Sequence, residues 1–152
     1  MLTNLLIIGN TNSGKTAYIK KLMEDWDYHQ HHGGEVRSYE TMVCLHHPIL
    51  GDVHIYDSCE AHVVNDIYDC VIIMCAEKLP PIEQYKNEIV EKCGDIPVII
   101  LFNKLDLEDA RLSYHAYLEA HPEDMVRSCS VKDQNIGMVE DTFKEIVSLA
   151  QD

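Results

Sequence analysis

Gly9-Asn10-Thr11-Asn12-Ser13-Gly14-Lys15-Thr16 is the stretch on which the reading of this chain turns. It follows the apolar run Leu5-Leu6-Ile7-Ile8 and leads into Ala17, Ile19, Leu22 and Met23 at helical spacing. Strand, glycine-framed loop and helix, in that order, are the setting in which GxxxxGK[ST] holds phosphate. Successive backbone N–H groups and the positive end of the following helix form a cradle for a di- or triphosphate. Asn12, Ser13, Gly14, Lys15, Thr16 and Ala17 are the expected cradle residues. Lys15 is placed to reach the outer phosphates, and the Thr16 hydroxyl to ligate Mg²⁺.

The bulk properties agree with a phosphate site that is built locally. The chain has 152 residues, the size of one domain with one apolar core, and 46% of them are hydrophobic. Its formal net charge of -14 repels polyanions, so neither a nucleic acid nor an anionic membrane surface is an expected partner. The six cysteines form no CxxC pair, and several lie inside apolar runs, where a free thiol packs as a small hydrophobe. Without a signal peptide, the expected setting is reducing, intracellular and cytoplasmic. No apolar run approaches the length of a membrane span. No prenylation box or myristoylation glycine is seen, so the expectation is no direct membrane anchor in this chain.

The chain reads as alternating strands and helices. Residues 2–8 are a buried strand and 15–25 an amphipathic helix. The stretch from Asp27 to Glu40 lacks periodicity and carries Gly33-Gly34, so it reads as a loop. Thr41 to His47 and Val53 to Asp57 read as a hairpin around a Gly51-Asp52 turn. Cys70 to Ala76 and Ile96 to Phe102 suit central parallel strands. Between them Pro80-Pro81 opens a helix that Gly94 closes. A helix from Leu107 to Ala120, a strand from Met125 to Ser130 and a last helix through Val139, Phe143, Ile146, Val147 and Ala150 complete the chain. The expected architecture is one α/β domain over residues 1–152, a three-layer P-loop NTPase fold. Its sheet is doubly wound and mostly parallel with one antiparallel edge hairpin, and ligands bind at the carboxyl ends of the strands.

Three further clusters each follow an apolar strand. Asp57 ends His54-Ile55-Tyr56-Asp57, where a carboxylate can hold a Mg²⁺-bound water. Asn103-Lys104-Leu105-Asp106 follows Ile99-Ile100-Leu101-Phe102. A carboxylate at Asp106 accepts from both N1–H and the 2-amino group of guanine, a donor pair adenine lacks, and the Lys104 stem can lie along the base. Ser130-Val131-Lys132, within Ser128-Cys129-Ser130-Val131-Lys132, can turn backbone amides to the base oxygen.

With its phosphate loop, mobile-loop threonine, strand-end Asp57, NKLD and CSVKD in order, the sequence resembles the Ras-like small GTPases, of Ras or Rab type, over essentially the whole chain. The resemblance implies GTP and GDP with Mg²⁺ as ligands. It implies that Thr41, or else Ser38, binds Mg²⁺ and senses the γ-phosphate. It implies that an aromatic, Tyr28 or Trp26, covers the second face of guanine. Effectors or regulators would bind through residues 27–41 and 58–69, the two segments that change with nucleotide.

Departures from the family pattern bear on hydrolysis. After Asp57 the chain reads Ser58-Cys59-Glu60-Ala61-His62, with Glu60 in place of the family's glycine and Ala61 in place of its water-orienting glutamine. Only residues 58–69 separate Asp57 from the next strand, so the second switch is short. Thr11 adds bulk where small residues leave room for the transition state. The expectation is a switch that binds GTP and GDP and hydrolyses GTP slowly, with Lys15 and Thr41 in catalytic roles and His62 standing in for the glutamine. The alternative is a pseudo-GTPase, a binding module with nucleotide as structural ligand. An ATP-dependent kinase is disfavoured by Asp106. Seven of the nine histidines fall between His29 and His62, but adjacent pairs such as His46-His47 point to opposite faces of a strand and do not form one metal site.

Overall fold

The computed structural model describes residues 2–10, 13–28, 35–38, 42–47, 50–57, 67–104, 107–129 and 136–151, and of 24–28, 35–38, 42, 47 and 136–141 the backbone alone. Seven strands and four helices run in the order β1 (Leu2–Gly9), α1 (Lys15–Tyr28), β2 (Glu35–Ser38), β3 (Met42–His47), β4 (Gly51–Asp57), β5 (Cys70–Cys75), α2 (Ile82–Cys93), β6 (Val98–Phe102), α3 (Glu108–Ala120), β7 (Met125–Ser128) and α4 (Ile136–Gln151). They form one sheet of order β2-β3-β4-β1-β5-β6-β7. The pairings β4-β1, β1-β5, β5-β6 and β6-β7 are parallel, and β2-β3 and β3-β4 are antiparallel. The mostly parallel, doubly wound P-loop architecture expected from the sequence is therefore present.

Side-chain alternation divides the core into two layers. Leu5, Ile7, Ile72, Met74, Ile99 and Leu101 face one way, against Tyr18, Ile19 and Leu22 of α1 and Phe143, Ile146 and Val147 of α4. Leu6, Ile8, Val71, Ile73, Ile100 and Phe102 face the other, against Ile82, Tyr85 and Ile89 of α2 and Tyr117 of α3. Because both faces are covered, β5 is buried along its whole length and its sequence, Cys-Val-Ile-Ile-Met-Cys, shows no alternation. Each fully buried Ile, Leu or Phe contributes about 1.5–3 kcal/mol.

Three sequence expectations need correction. The stretch 27–40 is not all loop, because α1 runs on through Tyr28 and residues 35–38 form β2. The local signal for β2 is weak, and it exists as a strand by pairing with β3, Glu35 opposite His46 and Ser38 opposite Val43. Gly51-Asp52 is not the hairpin turn: both residues belong to β4, with Gly51 opposite His47 and Asp52 opposite His46. A 2.6 Å contact between His46 Nδ1 and Asp52 Oδ1 spans that rung. The antiparallel edge thus has three strands, β2 extending the expected hairpin.

The winding sense reverses between β1 and β5, since β1 feeds α1 on one face and β5 feeds α2 on the other. A crevice at the carboxyl ends of strands at such a reversal is the usual ligand position in open α/β sheets.

Candidate nucleotide site

That crevice holds the phosphate-loop sequence. β1 ends at Gly9, opposite Met74 of β5. A Cβ on Gly9 would lie 2.5 Å from the Met74 carbonyl oxygen, so the loop leaves the sheet against the β5 backbone only because no side chain is there. Ser13 closes the loop back on itself, its N–H and Oγ donating to the Asn10 carbonyl at 3.0 and 2.7 Å. Gly14 has a φ of +93, and α1 starts at Lys15 with Tyr18 N–H donating to Gly14 O at 2.9 Å.

Lys15 is 7% exposed, and its Nζ donates to the carbonyls of Gly9 at 2.8 Å and Asn10 at 3.1 Å. Among the described residues no carboxylate pairs with it. A desolvated ammonium facing neutral dipoles has its hydrogen bonds but no counter-charge. The first-turn residues Thr16 and Ala17 are exposed at the helix N-terminus. An oxyanion arriving at this end would meet the Lys15 charge and the free amides of the first helical turn together.

The β6 end supplies the second part. Asn103 and Lys104 follow Phe102 directly. Asn103, 2% exposed, is anchored by its N–H to the Cys75 carbonyl at 2.8 Å, and its Nδ2 donates to Ser13 O at 3.2 Å. Lys104 takes a φ of 59, and its Cε comes 3.7 Å from where a Gly14 Cβ would sit, so its stem runs beside the phosphate loop. Cys129 Sγ donates to Asn103 Oδ1 at 3.6 Å, a contact the sequence reading did not foresee.

Asp57 supplies the third part. It ends β4 beside Ile7 of β1, at the same edge of the sheet. Its Oδ1 is buried and has no hydrogen-bond partner in the structure. A buried carboxylate oxygen left in that condition is costly unless a cation or its water completes it, so the donor set fits Mg²⁺ through Asp57 and Thr16.

Tyr28 lies in the last turn of α1, about 20 Å along the helix axis from Lys15 at 1.5 Å per residue. Asn12, Thr41, His62, Asp106, Ser130, Val131 and Lys132 lie outside the described residues, as do Glu60 and Ala61.

No protein-family model matches this chain, and none of the curated proteins matches it by sequence. Solved structures do match by shape. The G domain of the T. maritima FeoB iron transporter aligns over all of both chains with a TM-score of 0.64 at 14% identity. The cytosolic domain of that transporter in GMPPNP form is matched over the whole of this chain and 65% of its own, at TM-score 0.61 and 17% identity. A bacterial selenocysteine-specific elongation factor, EF-Sec, is matched over 96% of this chain and 28% of its own, at TM-score 0.63 and 16% identity. The fold is thus that of a P-loop G domain.

Proposed function

We propose that this chain is a guanine-nucleotide-binding small GTPase of Ras or Rab type that acts as a cytoplasmic GTP/GDP-dependent switch and hydrolyses GTP slowly. The observation that carries the reading is the direct bond between the two halves of the site. Asn103, first residue of the Asn-Lys-Leu-Asp segment, is hydrogen-bonded to Ser13 of the phosphate loop, with the uncompensated Lys15 beside it. A site that reads a base and grips its phosphates requires these two loops at a fixed separation. The G-domain folds of FeoB, one of them in GMPPNP form, and of EF-Sec support the same reading.

In this reading Asp106 reads the guanine edge, Lys104 lies along the base, and Ser130, Val131 and Lys132 meet the base oxygen. Lys15 neutralises charge on the outer phosphates, before and during in-line attack of water. Thr16, Thr41 and Asp57 would hold Mg²⁺, which would supply positive charge against the phosphates. Glu60 and Ala61 stand where the glycine and glutamine of the Ras pattern act, so the attacking water lacks the glutamine, and His62 stands in to orient it. Residues 27–41 and 58–69 are the proposed contact segments for effectors and regulators.

Nucleotide released from the purified protein by mild denaturation is expected to be GDP or GTP, and reloaded GTP to turn over no faster than in an unstimulated small GTPase. Recovery of adenine nucleotide, or fast turnover, would break the proposal. Equal partner affinity in GDP and GTP-analogue forms would leave a binding module rather than a switch, because a switch requires differential affinity.

A further inference from the structure

The geometry points to a transition-metal site away from the nucleotide crevice: Cys44 and His46 of β3, with Asp52 and His54 of β4, are a ligand set for one Zn²⁺ ion.

Alternation along β3 separates His46 from His47, but the pairing with β4 gives His46 other company. Cys44 lies opposite His54, and His46 opposite Asp52. Directly opposed residues share a face of the sheet, as do residues two apart in one strand. The four side chains therefore stand on two rungs of one face. Val43, Leu45, Val53 and Ile55, which alternate with them, turn the other way into the core. A slip of one residue would bury the polar set and expose those four apolar side chains, so the core fixes the register. The outward face is open to an ion: His46 and Asp52 are each 50% exposed, and Cys44 and His54 are half-buried.

One rung of the set is already closed. His46 Nδ1 lies 2.6 Å from Asp52 Oδ1, so the proton held between them sits where an ion would take both ligands, and metal binding would displace it. That hydrogen bond holds the Asp52 carboxyl below its ordinary range, and the charge of His54 adds to the effect, so both imidazoles are within electrostatic reach of the carboxylate. His54 and Cys44 would join by side-chain rotation from the adjoining rung. Opposed Cβ atoms are about 4.5–5.5 Å apart and diagonal ones about 7–8 Å. Imidazole nitrogen about 2.0–2.1 Å and thiolate sulfur about 2.3 Å from the ion can bridge such spans. β2 places Glu35 opposite His46 and Arg37 opposite Cys44, one charge of each sign, and so leaves the local balance unchanged.

The ligand types select the metal. Two imidazoles, a thiolate and one carboxylate suit Zn²⁺, whereas Mg²⁺ takes oxygen ligands. His54 precedes Asp57 by three residues and Asp52 by five, which puts the set roughly 10–17 Å along β4 from the carboxylate that fits Mg²⁺. His121, Glu123 and Asp124 also gather ligand atoms within 4.8 Å of one another. There Lys86 Nζ already holds Asp124 at 2.6 Å, and an ammonium in that place opposes a second cation.

The test titrates Zn²⁺ into the full chain after chelation, in excess Mg²⁺ to fill sites made of oxygen. The parent is expected to take up one equivalent with a Kd of about 1 μM or tighter, and to melt at a higher temperature with the ion than without it. His46→Ala, His54→Ala and Asp52→Asn should each weaken uptake about tenfold or more, and His121→Ala should leave it unchanged. All three positions face solvent at least in part, and the melting temperature of each metal-free variant shows that the fold is retained. Co²⁺ in place of Zn²⁺ should give the visible bands of a tetrahedral ion and a near-ultraviolet thiolate-to-cobalt band, the latter lost in Cys44→Ser. No stoichiometric uptake by the parent overturns the site, as does uptake that the His46 and His54 variants keep or that His121→Ala loses. A thiolate band that survives in Cys44→Ser overturns the four-ligand assignment.

Discussion

Two lysines in this molecule sit in opposite electrostatic conditions. Lys86 of α2 has its Nζ 2.6 Å from Asp124 Oδ2 and 3.6 Å from Glu83 Oε1, so its counter-charges are part of the protein. Asp124 also accepts from the Tyr117 hydroxyl at 2.5 Å, tying α2, α3 and the turn before β7 into one corner. Burial works to raise the Asp124 carboxyl, but the hydrogen bonds from Lys86 and Tyr117 outweigh it and hold it below the usual range. The same corner raises the Tyr117 phenol, through burial first and then the Asp124 bond. Lys15 has more burial and less compensation, with two carbonyl oxygens and no described carboxylate. A cation whose partner is built in serves stability, and a buried one without a counter-charge is prepared for an anion from outside.

The largest expected effect tests that distinction. Lys15→Met should weaken GDP and GTP binding about 100-fold or more, as loss of two charge-assisted hydrogen bonds implies. The melting temperature of the nucleotide-free protein should stay the same or rise, because the substitution removes an uncompensated buried charge. A large fall in melting temperature would place Lys15 with Lys86 as a structural cation and erase the contrast.

A smaller effect is expected at the glycine that keeps the phosphate end open. Gly14→Ala combines a φ of +93 with a Cβ 2.3 Å from Asn103 Nδ2, so it should destabilise the fold by about 1–3 kcal/mol in urea denaturation. GDP affinity should fall with it, because relief of the clash moves Asn103 off Ser13.

The smallest effect belongs to the self-satisfied corner. Asp124→Asn should cost about 1 kcal/mol, in the range of one partly exposed ion pair, with GDP affinity unchanged. Asp124 has a folded pKa below its unfolded value near ~3.9, so its contribution is present above that pH and lost as pH falls through the folded value. Acid titration of stability should therefore show a shallower decline below about pH 4 in Asp124→Asn than in the parent. A change in GDP affinity there would mean that the two ends of the domain communicate.

Legibility in the sequence followed how local the determining forces are. The strands β1, β5 and β6 announce themselves as continuous apolar runs because both faces of the sheet are covered. The loop from Gly9 to Thr16 is equally plain, since glycines, a lysine and a helix start are chemical facts of eight consecutive residues. β2 escaped because Glu-Val-Arg-Ser has too little apolar alternation, and its partner β3 supplies what holds it. α1 runs three residues past the expected end at 25, because helix ends are weakly encoded in local sequence.

The residues after Gly9 thus gave by themselves the expectation of a phosphate-binding loop, and NKLD the expectation of guanine as the base. Only the tertiary structure decided how those two pieces are joined. The bond between Asn103 and Ser13 spans 90 positions in the sequence, and the thiol of Cys129 comes to Asn103 from the end of another strand. Such contacts depend on the register of parallel strands, which no run of local residues specifies. For the same reason Cys129 stood in the sequence only as a member of Ser128-Cys129-Ser130-Val131-Lys132 until β6 and β7 were set side by side.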